Sequence, residues 1–219
     1  ADVDTIALPM TGTYVLAIAG ALSNSAPVDY SIRVQPVGEN VATLALGATT
    51  TGSITVSGEQ DRYTFTLGQA SQLYFDSLTN SSSITWTLTG PRGTEVNGRP
   101  FYSSSDQVLG QLPAGSYQLT VDGTGGTTGT YNFRLLDLAN ATALTLGTSV
   151  SGMLLNRGTA AYQFTATAGD RFYFDQQALT NAYQYPTWRL LNPYGGEVFN
   201  QSFSSDVAVQ TLGQTGIYT

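Results

Sequence analysis

The chain has 219 residues and a formal net charge of −7, from 15 acidic side chains against eight arginines, with no lysine, histidine or cysteine. That composition excludes disulfides, thiolate nucleophiles, zinc ribbons, imidazole bases, Schiff bases, lysine isopeptide cross-links and the P-loop, and it makes a poor partner for phosphate backbones. Charged residues are only 11% and hydrophobic ones 41%, a balance that fits a globular domain of a secreted or surface protein better than a cytoplasmic one. No apolar run reaches the roughly 20 residues that a membrane-spanning helix needs.

Taken in order, the elements repeat. Leu8–Tyr14 closes on the sequence Gly12-Thr13-Tyr14, which returns as Gly115-Ser116-Tyr117 and as Gly216-Ile217-Tyr218, with tyrosines 103 and 101 residues apart. Tyr30-Ser31-Ile32-Arg33 returns as Tyr131-Asn132-Phe133-Arg134. Tyr63-Thr64-Phe65 returns as Tyr162-Gln163-Phe164, and Tyr74-Phe75-Asp76 as Tyr173-Phe174-Asp175. Trp86, Pro91 and Glu95 return together as Trp188, Pro193 and Glu197. A fixed period near 100 residues makes the chain a tandem array. It divides into residues 1–37, the C-terminal strands of one repeat, 38–138, a complete repeat, and 139–219, the N-terminal part of a third. Such a frame is expected of a stretch of a longer array. Segments 36–42 and 136–143 read as short linkers.

Within the complete repeat the apolar period is two. Tyr63, Phe65 and Leu67 alternate with polar neighbours, as do Ile84, Trp86 and Leu88, then Tyr117, Leu119 and Val121, then Tyr131, Phe133 and Leu135. Turn clusters rich in Gly and Pro separate them. Seven to nine such strands in about 100 residues predict an all-β fold of tandem antiparallel β-sandwiches, jelly-roll-like, with Trp86, Tyr63, Phe65, Phe75, Leu119 and Phe133 in the core. The loop Gly123–Gly129 joins two strands and offers no helix N-terminus, so it reads as a hairpin loop and not a phosphate cradle.

The runs Asp61–Leu67, Gly90–Gly93, Leu112–Val121 and Gly129–Phe133 together resemble the bacterial pre-peptidase C-terminal domain, over about residues 52–136 and again over about 152–219. The resemblance implies a jelly-roll sandwich of extracellular proteins, some of whose members bind calcium near the start of the domain or bind fibrous or glycan ligands. Glu59 and Asp61 are the calcium candidates it points to. The next copy has Gly158 and Ala160 there, with no acid, so a metal site is not expected to recur. No other cofactor is implied.

The acids that recur (Asp76 with Asp175, Glu95 with Glu197, and Asp2, Asp106 and Asp206) read as structural, since a catalytic pair must converge in one cleft. No catalytic residue is assigned, and the chain is expected not to be an enzyme. Phe101, Tyr102, Tyr183 and Tyr185 are the candidates for a sugar-stacking platform. The function expected is a non-catalytic structural or adhesive stretch of a bacterial cell-surface or extracellular fibre protein. The alternative is a glycan- or calcium-binding accessory module of a secreted hydrolase. The expected partners are continuation in a longer array or self-association, with an extracellular glycan or surface, and neither nucleic acid nor membrane.

Overall fold

A computed structural model describes residues 6–102, 107–180 and 186–219. The second repeat has nine strands: β1 (Glu39–Thr43), β2 (Thr49–Ile54), β3 (Gln60–Leu67), β4 (Ser71–Ser77), β5 (Ser81–Gly90), β6 (Gly93–Phe101), β7 (Gln107–Leu112), β8 (Gly115–Gly123) and β9 (Gly129–Asp137). They form one sheet in the order β1-β3-β8-β5-β6 and a second in the order β2-β9-β4-β7. Period-2 sequences put one face of each strand inward, and the two inner faces close on each other as a sandwich. In β3, for example, Asp61, Tyr63, Phe65 and Leu67 are all buried while Arg62, Thr64 and Thr66 stand outside them. The fold is all-β; the only helical turns among the described residues are two three-residue 3-10 segments.

The core is aromatic. Phe75 stacks on Trp86 with ring centroids 3.9 Å apart and planes 9° from parallel, and on its other side meets Phe133 at 5.3 Å. Trp86, Phe75, Phe101, Tyr131 and Phe133 are all fully buried. Rings of this size dominate core energetics, and offset or edge-on pairs add about 0.5–1.5 kcal/mol beyond the area they bury.

One repeated corner fixes where β8 begins. Tyr117 donates its hydroxyl to the carbonyl of Pro113 at 2.7 Å, Tyr218 to that of Gln214 at 2.8 Å, and Tyr14 to that of Met10 at 2.5 Å. Gly115 and Gly216 have φ of +145° and +147°, and an added Cβ would lie 2.4 and 2.7 Å from the rings of Pro91 and Pro193. Glycine is therefore required at both places.

Two expectations need correction. Residues 39–43 are not linker but strand, and β1 runs parallel to β3, from Glu39 beside Gln60 to Thr43 beside Thr64. The sandwich is thus antiparallel except at this edge. Of residues 1–37, read as the C-terminal strands of a repeat, the described part, 6–37, contains no strand. Their apolar side chains are exposed, among them Leu16, Ile18, Tyr30 and Ile32. A strand needs a neighbour for its backbone groups, and among the described residues no strand pairs with this segment.

The third repeat has β10 (Thr142–Ala143), β11 (Tyr162–Ala166), β12 (Arg171–Phe174), β13 (Thr187–Leu191), β14 (Glu197–Ser202), β15 (Val207–Thr211) and β16 (Gly216–Tyr218). These make three small sheets, β10-β11-β16, β12-β15 and β13-β14. β10 lies parallel to β11, repeating the β1–β3 edge. Phe164, Leu190, Phe199, Val207 and Tyr218 make its core, with Trp188 packed half-buried against it.

Candidate functional site

The two calcium candidates are not brought together. Glu59 closes its own turn: its carboxylate accepts the backbone amides of Thr55 at 2.5 Å and Val56 at 3.1 Å and the Thr55 hydroxyl at 2.6 Å. The Thr55 hydroxyl, helped by those amides, holds Glu59 below the usual carboxylate range. Asp61 is wholly buried. Its Oδ2 accepts the Tyr131 hydroxyl, while its Oδ1 accepts no hydrogen bond. Because the single proton of Tyr131 goes to Asp61, Tyr63 is left to donate to the Tyr131 oxygen at 2.7 Å. Gly52 roofs the cluster, since a Cβ there would come within 2.3 and 2.6 Å of the two phenol oxygens. Calcium needs six to eight oxygens turned toward one point. Here the carboxylates face protein donors and one is sealed from solvent, so the pair does not fit that ion. Among the described residues no three acidic side chains cluster.

The cluster has a titration consequence. Burial first, then the hydrogen bonds to Asp61 and Tyr63, push the Tyr131 phenol far above the ordinary tyrosine range, and burial also raises Tyr63. A raised folded-state pKa favours the protonated form, so this stability is complete below about pH 10, where unfolded tyrosine keeps its proton, and is lost as pH rises above it. The thermal midpoint should therefore fall steeply above about pH 10, and phenolate absorbance from this pair should appear only with unfolding. Tyr131→Phe should flatten that slope and cost about 1–3 kcal/mol at neutral pH, because Asp61 then keeps no donor.

The proposed stacking residues also separate. Phe101 is buried among Phe75, Tyr131 and Phe133, at centroid distances of 5.5, 5.6 and 6.0 Å, so it cannot offer a face to a sugar. Tyr102, next along the chain, is exposed. Tyr183 and Tyr185 lie outside the described residues, as do Asp2 and Asp106. The other recurring acids each hold a local partner. Glu95 takes Arg92 through two hydrogen bonds of 3.0 and 2.8 Å, and Glu197 pairs with Arg189 at 3.0 Å. Asp206 accepts the Tyr173 hydroxyl and the Gln176 amide, and the Tyr173 bond holds it below the usual carboxylate range.

Asp76 is the exception, because its partners come from two repeats. It lies on β4 directly opposite Arg134 of β9 and is fully buried. Arg134 Nε donates to Asp76 Oδ2 at 2.8 Å and Nη2 donates to the same oxygen. Nη2 also donates to the carbonyl of Thr159, 2.9 Å away in the third repeat. Thr159 answers through its hydroxyl, 2.9 Å from Asp76 Oδ1. The joint continues on both sides. Gln163 of β11 donates to the carbonyls of Ala139 and Ala141 at 3.3 and 2.7 Å, and Gln72 of β4 donates to the carbonyl of Pro193 at 3.0 Å. Between the repeats, Asp137 caps a 3-10 turn, Leu138–Asn140, through the Ala139 amide, and Leu138 is buried. A crevice of about 230 Å³, lined by Leu46, Arg134, Asp137, Asn140, Thr159 and Ala161 among others, marks the seam. No spacing rule pointed to Thr159; the signal that existed was the recurrence of Asp76 and Arg134 as Asp175 and Arg33.

No family model and no curated protein matches the sequence. Similar solved structures include the pre-peptidase C-terminal domain of a collagenase from Bacillus anthracis, 22% identical, covering 47% of this chain and 99% of that one with a TM-score of 0.35. They also include PliG, a periplasmic inhibitor of g-type lysozyme, from Aeromonas hydrophila at 16% identity, 46% and 99% coverage and a TM-score of 0.34. A mutant of the Escherichia coli PliG matches at 19% identity, 46% and 98% coverage and a TM-score of 0.34. Each covers about the length of one repeat. The family resembled by the sequence is thus also represented among the solved structures to which this chain is similar.

Proposed function

We propose that the chain is a non-catalytic stretch of a bacterial extracellular or cell-surface repeat protein, dividing at 37/38 and 138/139, in which sandwiches are set end to end as a semi-rigid structural or adhesive array. The observation that supports this most is the joint, where one buried carboxylate is shared between Arg134 of one repeat and Thr159 of the next. A flexible tether between independent modules would have no use for a buried ionic grip, and the capped turn at 137–141 leaves little slack. The hydroxyl-rich, sparsely charged outer strand faces, with Thr64, Thr66, Thr85, Thr87 and Thr89 on β3 and β5, suit contact with neutral partners such as glycans or other copies. Among the described residues no helix is long and apolar enough to cross a membrane.

The test is inter-repeat order in solution. Residual dipolar couplings or small-angle scattering should report one narrow distribution of orientations for the second and third repeats. Thr159→Val, which removes the hydroxyl donor but leaves Arg134 on Asp76, should broaden that distribution while the thermal midpoint of the second repeat stays within about 4 °C. Repeats that reorient independently in the unsubstituted chain would overturn the array reading.

A further inference from the structure

The outward side chains of the five-stranded sheet fall into ranks that cross the strands, because paired residues on neighbouring strands stand side by side. One rank is polar throughout. Thr43 of β1 lies beside Thr64 of β3, Thr64 beside Gln118 of β8, and Gln118 beside Thr89 of β5. At about 4.8 Å per strand, the rank is about 14 Å long. Thr66 and Ser116, themselves paired, stand one step further along β3 and β8. All six line a single groove of about 950 Å³, together with Leu44 and Leu46, which follow β1 in the chain. No charged side chain lines this groove. Arg62, one rank away on the same face, is already paired with Glu39 at 2.9 Å.

The fold does not require this chemistry. The third repeat keeps the aromatic pair beneath it, with Phe164 stacked on Tyr218 at 5.8 Å where Phe65 stacks on Tyr117 at 5.2 Å. Yet Ala143, Leu191 and Ile217 take the places of Thr43, Thr89 and Ser116. Positions that accept Ala, Leu and Ile in one repeat are not held polar in the other by packing. The groove is also clear of the joint, since the third repeat meets the opposite sheet, through Gln72 and Asp76 of β4. Within the rank, Thr89 donates to the Gln118 carbonyl and Gln118 to the Thr120 hydroxyl, each at 3.3 Å. The hydroxyls of Thr43, Thr64, Thr66 and Ser116 take no partner among the described residues.

We propose, resting on the extracellular repeat reading above, that this groove binds a neutral polysaccharide laid across β1, β3, β8 and β5. A hydroxyl both donates and accepts, so a row of them matches a partner that is itself a row of hydroxyls. A polyanion finds no cation here. A protein partner fits poorly, because interface centres are rich in aromatic side chains and Arg and poor in Ser. Phe101 and Tyr102 take no part, so the contact is by hydrogen bonding without ring stacking. Affinity is therefore modest, and a polymer that fills the whole rank binds better than a free monosaccharide. The second repeat carries the site and the third does not.

Affinity electrophoresis of the whole chain tests this, in gels holding hydroxyethyl cellulose, laminarin, dextran or galactomannan. At least one of these neutral polymers should retard the chain, and polygalacturonate should not. Thr64→Val combined with Thr89→Val keeps the shape of the rank and removes two hydroxyls. It should weaken retardation at least about fivefold and leave Trp86 emission unchanged. Thr85→Val, on β5 and the same face but outside the groove, should change nothing. Amide shifts on adding the retarding polymer should move in β3, β5 and β8 and stay fixed in the third repeat. A chain that none of the four polymers retards, retardation that survives the double variant, equal loss in Thr85→Val, or shifts centred on the third repeat would each overturn the proposal. None of these outcomes touches the array reading, which stands or falls on the orientation of the second and third repeats within one chain.

Discussion

Arg134→Ala should destabilise the second repeat by about 3–5 kcal/mol, the cost of leaving a buried carboxylate without its cation. Asp76 has no solvent to fall back on, and Thr159 alone satisfies only one of its oxygens well. For a sandwich of about 100 residues this corresponds to a fall in thermal midpoint of 12 °C or more, at about 4 °C per kcal/mol. The same substitution removes the donor to the Thr159 carbonyl, so orientation between the repeats should loosen together with stability, whereas Thr159→Val loosens orientation alone. Replacing both partners with apolar side chains of similar size, Asp76→Leu with Arg134→Met, should recover most of the stability and none of the joint order. Calorimetry and residual dipolar couplings on the same samples read the two quantities separately. If the double variant were as unstable as Arg134→Ala, the carboxylate would not be the origin of the loss.

Trp86→Ala should cost a similar 3–5 kcal/mol through the cavity it leaves between Phe75 and the β8 side chains. Trp86→Phe should cost much less. It keeps a ring against Phe75, and it removes an indole N–H that is buried without an acceptor. Trp188, its counterpart, gives an internal control. It is edge-on to Phe203 at 4.7 Å and to Phe199 at 6.0 Å but only half-buried. Trp188→Ala should therefore cost under half as much, and equal losses at the two sites would contradict the packing described. Because the chain has two tryptophans, each variant isolates the emission of the other, and Trp86 should emit from the drier site.

The period-2 runs were enough to place β3, β5, β8 and β9 and to put Trp86, Tyr63 and Phe133 inside. They also contained the answer for Asp61, which shares parity with Tyr63, Phe65 and Leu67 and so faces inward; its acidity drew attention to cations and away from its phase. Phe101 was not legible in this way. Val96 and Phe101 are both buried although their parities differ, because β6 slips its register with β5 more than once and Gly98 takes a φ of +56° within it. A bulge resets the alternation, and no local rule announces it. The strand at 39–43 was missed because an edge strand exposed on both faces shows no apolar period. The joint was legible only in half, since the charged pair recurs in the sequence while Thr159 enters through backbone and hydroxyl contacts that any small polar residue resembles.

The parallel edge of β1 has a mechanical meaning. Successive strands of the second repeat alternate in direction, so β1 and β9 point the same way: the chain enters the sandwich at one end and leaves it at the other. Tension along an array would pull β1 backwards along its own axis, past β3. The bonds between them, spread over the five positions from Glu39 to Thr43, would then be loaded in shear and share the force. An antiparallel first strand would instead be peeled from its neighbour, one bond at a time.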